Sequence, residues 1–248
     1  MRSLRPAPKR IWSLLLATAV AMLAVPAGDA FAADKMPDLG MAKLRDLQIK
    51  HENGKKLLRY TAIIVNVGQG PFQVEGTRSD TTSAMSVVQR IFDDTGGSRT
   101  IAPNASMYYS GDGHNHWHVR DLELSSFKRL PDHVKLRSGA KHGFCFYDNY
   151  RYGSPASAQY TSSNSCTGGN SALQTTMGLS TGWGDVYWWN LVDQYVDVSG
   201  LPNGKYRLET VVNPDLGLSQ SNSANDLTWV DISMKRNNVT IESYGPSA

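Results

Sequence analysis

Apolar and polar residues alternate along LRDLQIKHENGKKLLRYTAIIVNVG, with Leu47 and Ile49 before Asn53-Gly54 and Leu58, Tyr60, Ala62 and Ile64 after it. A period of two marks a strand with one face buried, and Asn-Gly between two such runs marks a tight hairpin. The pattern returns in QYVDVSG, LPNGKYRLETVVNP and DLTWVDISM, with breakers at Pro202-Asn203-Gly204 and Asn213-Pro214. No long window carries helical periodicity. Residues 148–176 are rich in Ser, Gly, Asn and Tyr and read as a long loop; such loops in compact domains are often functional. The chain is therefore predicted to be all-β: one β-sandwich-like domain with long loops and little helix. No internal repeat and no linker divides it.

The N-terminus does not fit this pattern. MRSLRPAPKR is basic, IWSLLLATAVAMLAV is apolar, and Ala30-Phe31-Ala32 follows. A charged n-region, a short apolar run and an A-x-A site predict a signal peptide over residues 1–32, cleaved after Ala32. The apolar run is shorter than the ~20 residues that span a bilayer. A secreted protein of residues 33–248, outside the membrane, is expected. The predicted signal holds four of the 25 Lys and Arg and one of the 22 Asp and Glu, leaving 21 of each. A formally neutral mature chain gives no electrostatic case for nucleic acid. Cys145 and Cys166 are the two cysteines of the chain, and export favours a disulfide between them over a thiol metal site.

Candidate chemistry starts at GDGHNHWHVRD, where His114, His116 and His118 account for three of six histidines. On a strand, residues at i, i+2 and i+4 share a face, and neutral imidazole binds zinc, copper, iron and nickel. A straight strand would hold the outer Cα atoms ~13 Å apart, too far for comfortable ligation of one ion at ~2 Å. Three-fold ligation needs a bend, which Gly111 and Gly113 permit. A pH switch is the weaker alternative. Nitrogen ligands alone suit zinc or copper, and Asp112 or Asp121 added to them would suit iron. A three-ligand site leaves positions open for catalysis. SGAKHGFCFYD sets Lys141 beside His142, and GLSTGWGDVYWWN sets Asp185 and Tyr187 among three tryptophans. Taken singly, Lys141 reads as a solvated lysine and Tyr187 as a packed aromatic.

In order along the chain these segments resemble the lysyl oxidase family. The motifs are HxHxH at residues 114–118; Lys141-His-Gly-Phe144-Cys145-Phe-Tyr-Asp148; Gly178-Leu-Ser-Thr-Gly182-Trp-Gly-Asp185-Val-Tyr187; and Gln194-Tyr-Val196-Asp197-Val198. Tyr206-Arg-Leu208 and Asn213-Pro214 continue the likeness, and LLRYTAIIVNVGQGPF is similar to the family's opening strand and turn.

The resemblance implies a β-rich catalytic domain with three copper ligands, matching His114, His116 and His118. It implies a lysine tyrosylquinone made from a lysine and a tyrosine, matching Lys141 and Tyr187. The implied activity is oxidation of primary amines, peptidyl lysine or small amines, by dioxygen to aldehydes, with ammonia and hydrogen peroxide released. The amine of Lys141 must be neutral to join the ring, and burial favours that form. Asp185 shares the strand face of Tyr187 and is the candidate base; His142 is a weaker candidate for a polar role near the cofactor. Animal members carry more cysteines, with one where Trp183 stands here, and a tryptophan-rich lead-in before the histidines that this chain lacks. The chain thus resembles a smaller, bacterial-type branch, and these departures bear on substrate rather than on copper or cofactor. The rival readings are an extracellular copper- or zinc-binding module, which needs only the histidines, and a zinc hydrolase, whose activity survives Tyr187→Phe.

Overall fold

A computed structural model describes residues 32–111 and 115–248. The segment read as a signal lies outside the described residues except for Ala32, and so do Asp112 and His114. Every regular element among the described residues is a strand, so the all-β expectation holds. None of these residues forms a helix long and apolar enough to cross a membrane.

The predicted hairpin is present. Arg45–Glu52 pairs antiparallel with Lys55–Asn66, joined by Asn53 and Gly54. Both turn residues take positive φ, 51° and 75°, as a type I′ turn requires. Lys55–Asn66 is also the hub of its sheet, pairing with Leu39–Met41, Trp183–Tyr187 and Tyr195–Asp197. Leu58, Tyr60, Ala62 and Ile64 enter the main core on one side, as the alternation predicts. Ile63 and Val65 pack with Ala42 and Val186 in a second cluster, so this strand is apolar on both faces.

A second sheet runs Gly143–Phe144, Trp117–Arg120, Ser106–Tyr109, Met85–Asp93, Phe72–Thr77, Gln174–Leu179, with Asp34–Lys35 and Ser98–Ile101 also on Met85–Asp93. The third runs Lys135–Ser138, Glu123–Arg129, Gly204–Val212, Leu227–Lys235, Asn238–Tyr244. Within it, the Tyr206 hydroxyl donates to the Pro202 carbonyl at 2.6 Å, closing the predicted turn. All three sheets bury side chains in one core, among them Tyr60, Phe72, Trp117 and Phe127. Burial of these large rings supplies the main driving force for the fold.

The long loop is present, interrupted by the short strand Tyr150–Arg151 and ending in Gln174–Leu179. Asp148 organises it: its carboxylate accepts from the backbone N–H groups of Gln159 and Ser180 at 2.9 and 2.8 Å. The Cys145–Cys166 disulfide pins it to the core across 21 residues. Replacing both cysteines by serine is expected to cost about 3 kcal/mol of stability, from the loop the bond closes. Denaturant unfolding of the variant and the parent would measure the difference.

Candidate active site

The histidine run meets the fold at the strand Trp117–Arg120. Trp117 turns to one side, where its indole N–H donates to the Gly169 carbonyl at 2.9 Å. His116 and His118 turn to the other, as the period of two predicts. Their Nε2 atoms stand 2.8 Å apart with the rings edge-to-face. The chain leaves the extended conformation at Asn115, where φ is +52°. That is the neighbourhood in which three-fold ligation requires a bend.

Lys141 and Tyr187 reach the same cavity from two other elements. Tyr187 ends the strand Trp183–Tyr187, which lies on Lys55–Asn66 with Tyr187 opposite Ala62. Its hydroxyl donates to the Cys145 carbonyl at 2.7 Å, and Phe144 packs edge-on at 5.0 Å. Lys141 lies between Lys135–Ser138 and Gly143–Phe144, and its Nζ sits 5.4 Å from the centre of the Tyr187 ring. Both side chains are buried, Lys141 at 9% exposure and Tyr187 at 6%. The cavity is lined by His116, His118, Lys141, Cys145, Tyr147, Asn149, Asp185, Val186, Tyr187 and Leu191. Its far wall is held by Arg59, which forks onto the Glu52 carboxylate and donates to the carbonyls of Trp189 and Leu191 at 3.1 and 2.9 Å.

Two buried carboxyl groups flank this pair. Asp185 is 2% exposed. Its Oδ1 accepts from the Asn149 amide, whose own oxygen accepts from the Val186 N–H at 2.9 Å. Burial pushes the Asp185 carboxyl up to about 8, against the opposing pull of the Tyr187 hydroxyl, Asn149 and the Lys141 charge. Burial also lifts the Tyr187 phenol well above its ordinary range. Glu123, likewise 2% exposed, opens the strand Glu123–Arg129. Its Oε1 accepts from Ser125 at 2.7 Å, and Ser125 accepts from Tyr60 at 2.6 Å. Burial raises the Glu123 carboxyl to about 7, while Ser125 and the Lys141 charge draw it down.

His142 and Asp121 stand apart. Their side chains pair with each other at 2.7 Å near the surface and line a different hollow, beside Pro214. Neither lines the cavity of Lys141 and Tyr187. Sequence reasoning missed Glu123, Tyr147, Asn149 and Leu191. Asn149 follows Asp148 of the KxxFCxxD motif, and that adjacency was the one signal available for it.

The donor set suits a metal ion. Two ligands ~2 Å from one ion lie about 2.8 Å apart when they subtend a right angle, and the His116 and His118 Nε2 atoms are at that separation. Among the described residues no three His, Cys, Asp or Glu side chains converge; His114 lies outside them. Gly143 packs against His118 so closely that an added methyl would collide with His118 Nδ1 and the Tyr108 hydroxyl. Gly143→Ala is therefore expected to tilt the His118 ring and, with His118 as a ligand, to weaken metal binding about 10- to 100-fold, as disturbed support of a ligand does. Competition against a chelator would read the change.

The chain is 31% identical over 122 residues to the protein-lysine 6-oxidase of Gallus gallus, a match covering 48% of this chain and 26% of that relative. It thus spans about a quarter of the relative's length. The model of the lysyl oxidase family matches residues 94–244. That interval holds the three histidines, Lys141, both cysteines, Asp185 and Tyr187, and leaves out residues 57–72, so the likeness of that stretch to the family's opening strand is not part of the match. With well over half of its length matched in this way, the chain belongs to the lysyl oxidase family.

Proposed function

We propose that this protein is a secreted, copper-dependent amine oxidase whose catalytic domain is residues 33–248, released by cleavage after Ala32. Its cofactor is a lysine tyrosylquinone formed from Lys141 and Tyr187, and its metal ligands are His114, His116 and His118. The observation that carries this reading is the position of Lys141 Nζ, 5.4 Å from the Tyr187 ring centre in a cavity also lined by His116 and His118. Lysine side chains are long and flexible, so a side-chain rotation can close that gap.

Copper and dioxygen would oxidise the ring, and the finished quinone would take the electrons of a primary amine, giving an aldehyde, ammonia and hydrogen peroxide. The protein's own residues supply position and proton transfer. The Cys145 carbonyl fixes the Tyr187 phenol. Asn149 fixes the Asp185 carboxyl, which takes the α-proton of the bound amine. Val186 and Leu191 give the cavity an apolar wall that limits water. The substrate is a primary amine, either a lysine side chain of an extracellular protein, as the name of the Gallus gallus relative suggests, or a small amine.

The test is hydrogen peroxide release from a primary amine by the copper-loaded protein in air. Release is expected with copper and absent from the metal-free protein. Bound copper with no turnover of peptidyl lysine, monoamines or diamines would leave a metal-binding module.

A further inference from the structure

We propose that Glu123 accepts the proton that Lys141 gives up when it joins the Tyr187 ring. The assignment deepens the amine oxidase reading and rests on it. Lys141 can attack the ring only as a neutral amine, and a buried ammonium needs a nearby acceptor for its proton.

The fold places Glu123 for this task. The Asp121 N–H donates to the His142 carbonyl at 2.7 Å, and the Gly139 N–H donates to the Ser125 carbonyl at 2.9 Å. Residues 121–125 therefore run antiparallel to 139–142, and Glu123, midway between the two contacts, lies opposite residues 140 and 141. Glu123 and Ser125 are both buried on the inward face of the strand. Ser125 and Tyr60 form a hydrogen-bond chain that ends on Oε1. Among the described residues Oε2 is buried without a hydrogen-bond partner, so one oxygen is held and the other faces no donor there.

The groups that act on Glu123 among the described residues come from its own strand and from three other segments. They are Ser125 on its own strand, Tyr60 from Lys55–Asn66, Lys141, and Tyr187 from Trp183–Tyr187. Asp185 also faces Lys141. Burial raises both carboxyls, that of Asp185 further than that of Glu123, so Glu123 is the readier of the two to ionise. In the proposed step one N–H bond of Lys141 breaks and its electron pair stays on nitrogen. The proton forms an O–H bond at Glu123 Oε2. Two opposite buried charges become a neutral amine and a neutral carboxyl with no change of oxidation state, and dioxygen remains the oxidant for the ring.

The test measures formation of the joined Lys141–Tyr187 peptide by mass spectrometry, after copper is added in air to metal-free protein across the neutral pH range. In the parent protein the rate is expected to rise with pH about a midpoint near 7, as Glu123 ionises. Glu123→Gln should bind as much copper and form the cross-link about 100-fold more slowly at neutral pH, the scale of a lost general base, recovering in alkali. A Glu123 that served only as a counter-charge would give the opposite sign, because its removal favours the neutral amine. Equal or faster cross-linking in Glu123→Gln thus overturns the proposal. Ser125→Ala keeps the carboxylate and removes a hydrogen bond that holds its pKa down, so its midpoint should move up; an unmoved midpoint also overturns it. A parent protein that binds copper and never cross-links would overturn the amine oxidase reading itself.

Discussion

Tyr187→Phe is expected to bind copper as the parent chain does and to oxidise no amine. The substitution removes one oxygen and leaves the ring in place against Phe144. His118 lies on another strand, in another sheet, so copper content should not change. Without the phenol oxygen the ring cannot reach the quinone state, and the hard step has no electron acceptor. The loss should therefore be complete rather than graded. The fold should weaken by about 1 kcal/mol, because the Cys145 carbonyl loses its hydrogen bond. Lys141→Met should give the same silent, copper-bound protein by removing the other half of the cofactor. Residual oxidation in Tyr187→Phe would point to a metal-only mechanism, as the hydrolase reading also requires for its own reaction.

Asp185→Asn should form the cofactor and turn over about 100- to 10,000-fold more slowly, the range for a lost general base. Asn149 can still hold the new amide through its oxygen, so the cavity should keep its shape. The pH profile makes the test specific. A base acts in its ionised form, and burial raises this carboxyl to about 8. The parent kcat/KM should rise with pH through about 8, and Asp185→Asn should lose that limb. The same shift has a consequence for the fold. A carboxyl protonated to higher pH in the folded than in the unfolded chain stabilises the fold fully below the ordinary carboxylate range. That contribution is lost as pH rises through about 8, so metal-free Asp185→Asn should unfold with a flatter dependence on pH than the parent.

The sequence carried what is local. A period of two predicts that His116 and His118 share a face and that Trp117 does not, and it predicts the hairpin at Asn53-Gly54. The same period places Asp185 beside Tyr187. Export predicts the Cys145–Cys166 bond. The cavity itself is not local. Lys141 and Tyr187 read singly as unremarkable residues, and only the ordered motifs of a family joined them. Their approach depends on the pairing of Trp183–Tyr187 with a strand more than a hundred residues earlier. Glu123 was invisible for the same reason: a strand residue among alternating polar and apolar neighbours reads as solvated until a second segment covers it. His142 illustrates the reverse error. It sits next to Lys141 in sequence, but neighbours on an extended chain point to opposite sides, and its partner is Asp121 at the surface.

The central claim is that Lys141 and Tyr187 become one covalent unit. Peptide mapping by mass spectrometry of the mature, copper-loaded protein kept in air tests it most directly. The account predicts a joined Lys141–Tyr187 peptide that needs both copper and air to form and that reacts with phenylhydrazine. Two intact, separate peptides from a protein with copper bound and oxygen supplied would contradict it and leave the histidines as a metal site alone.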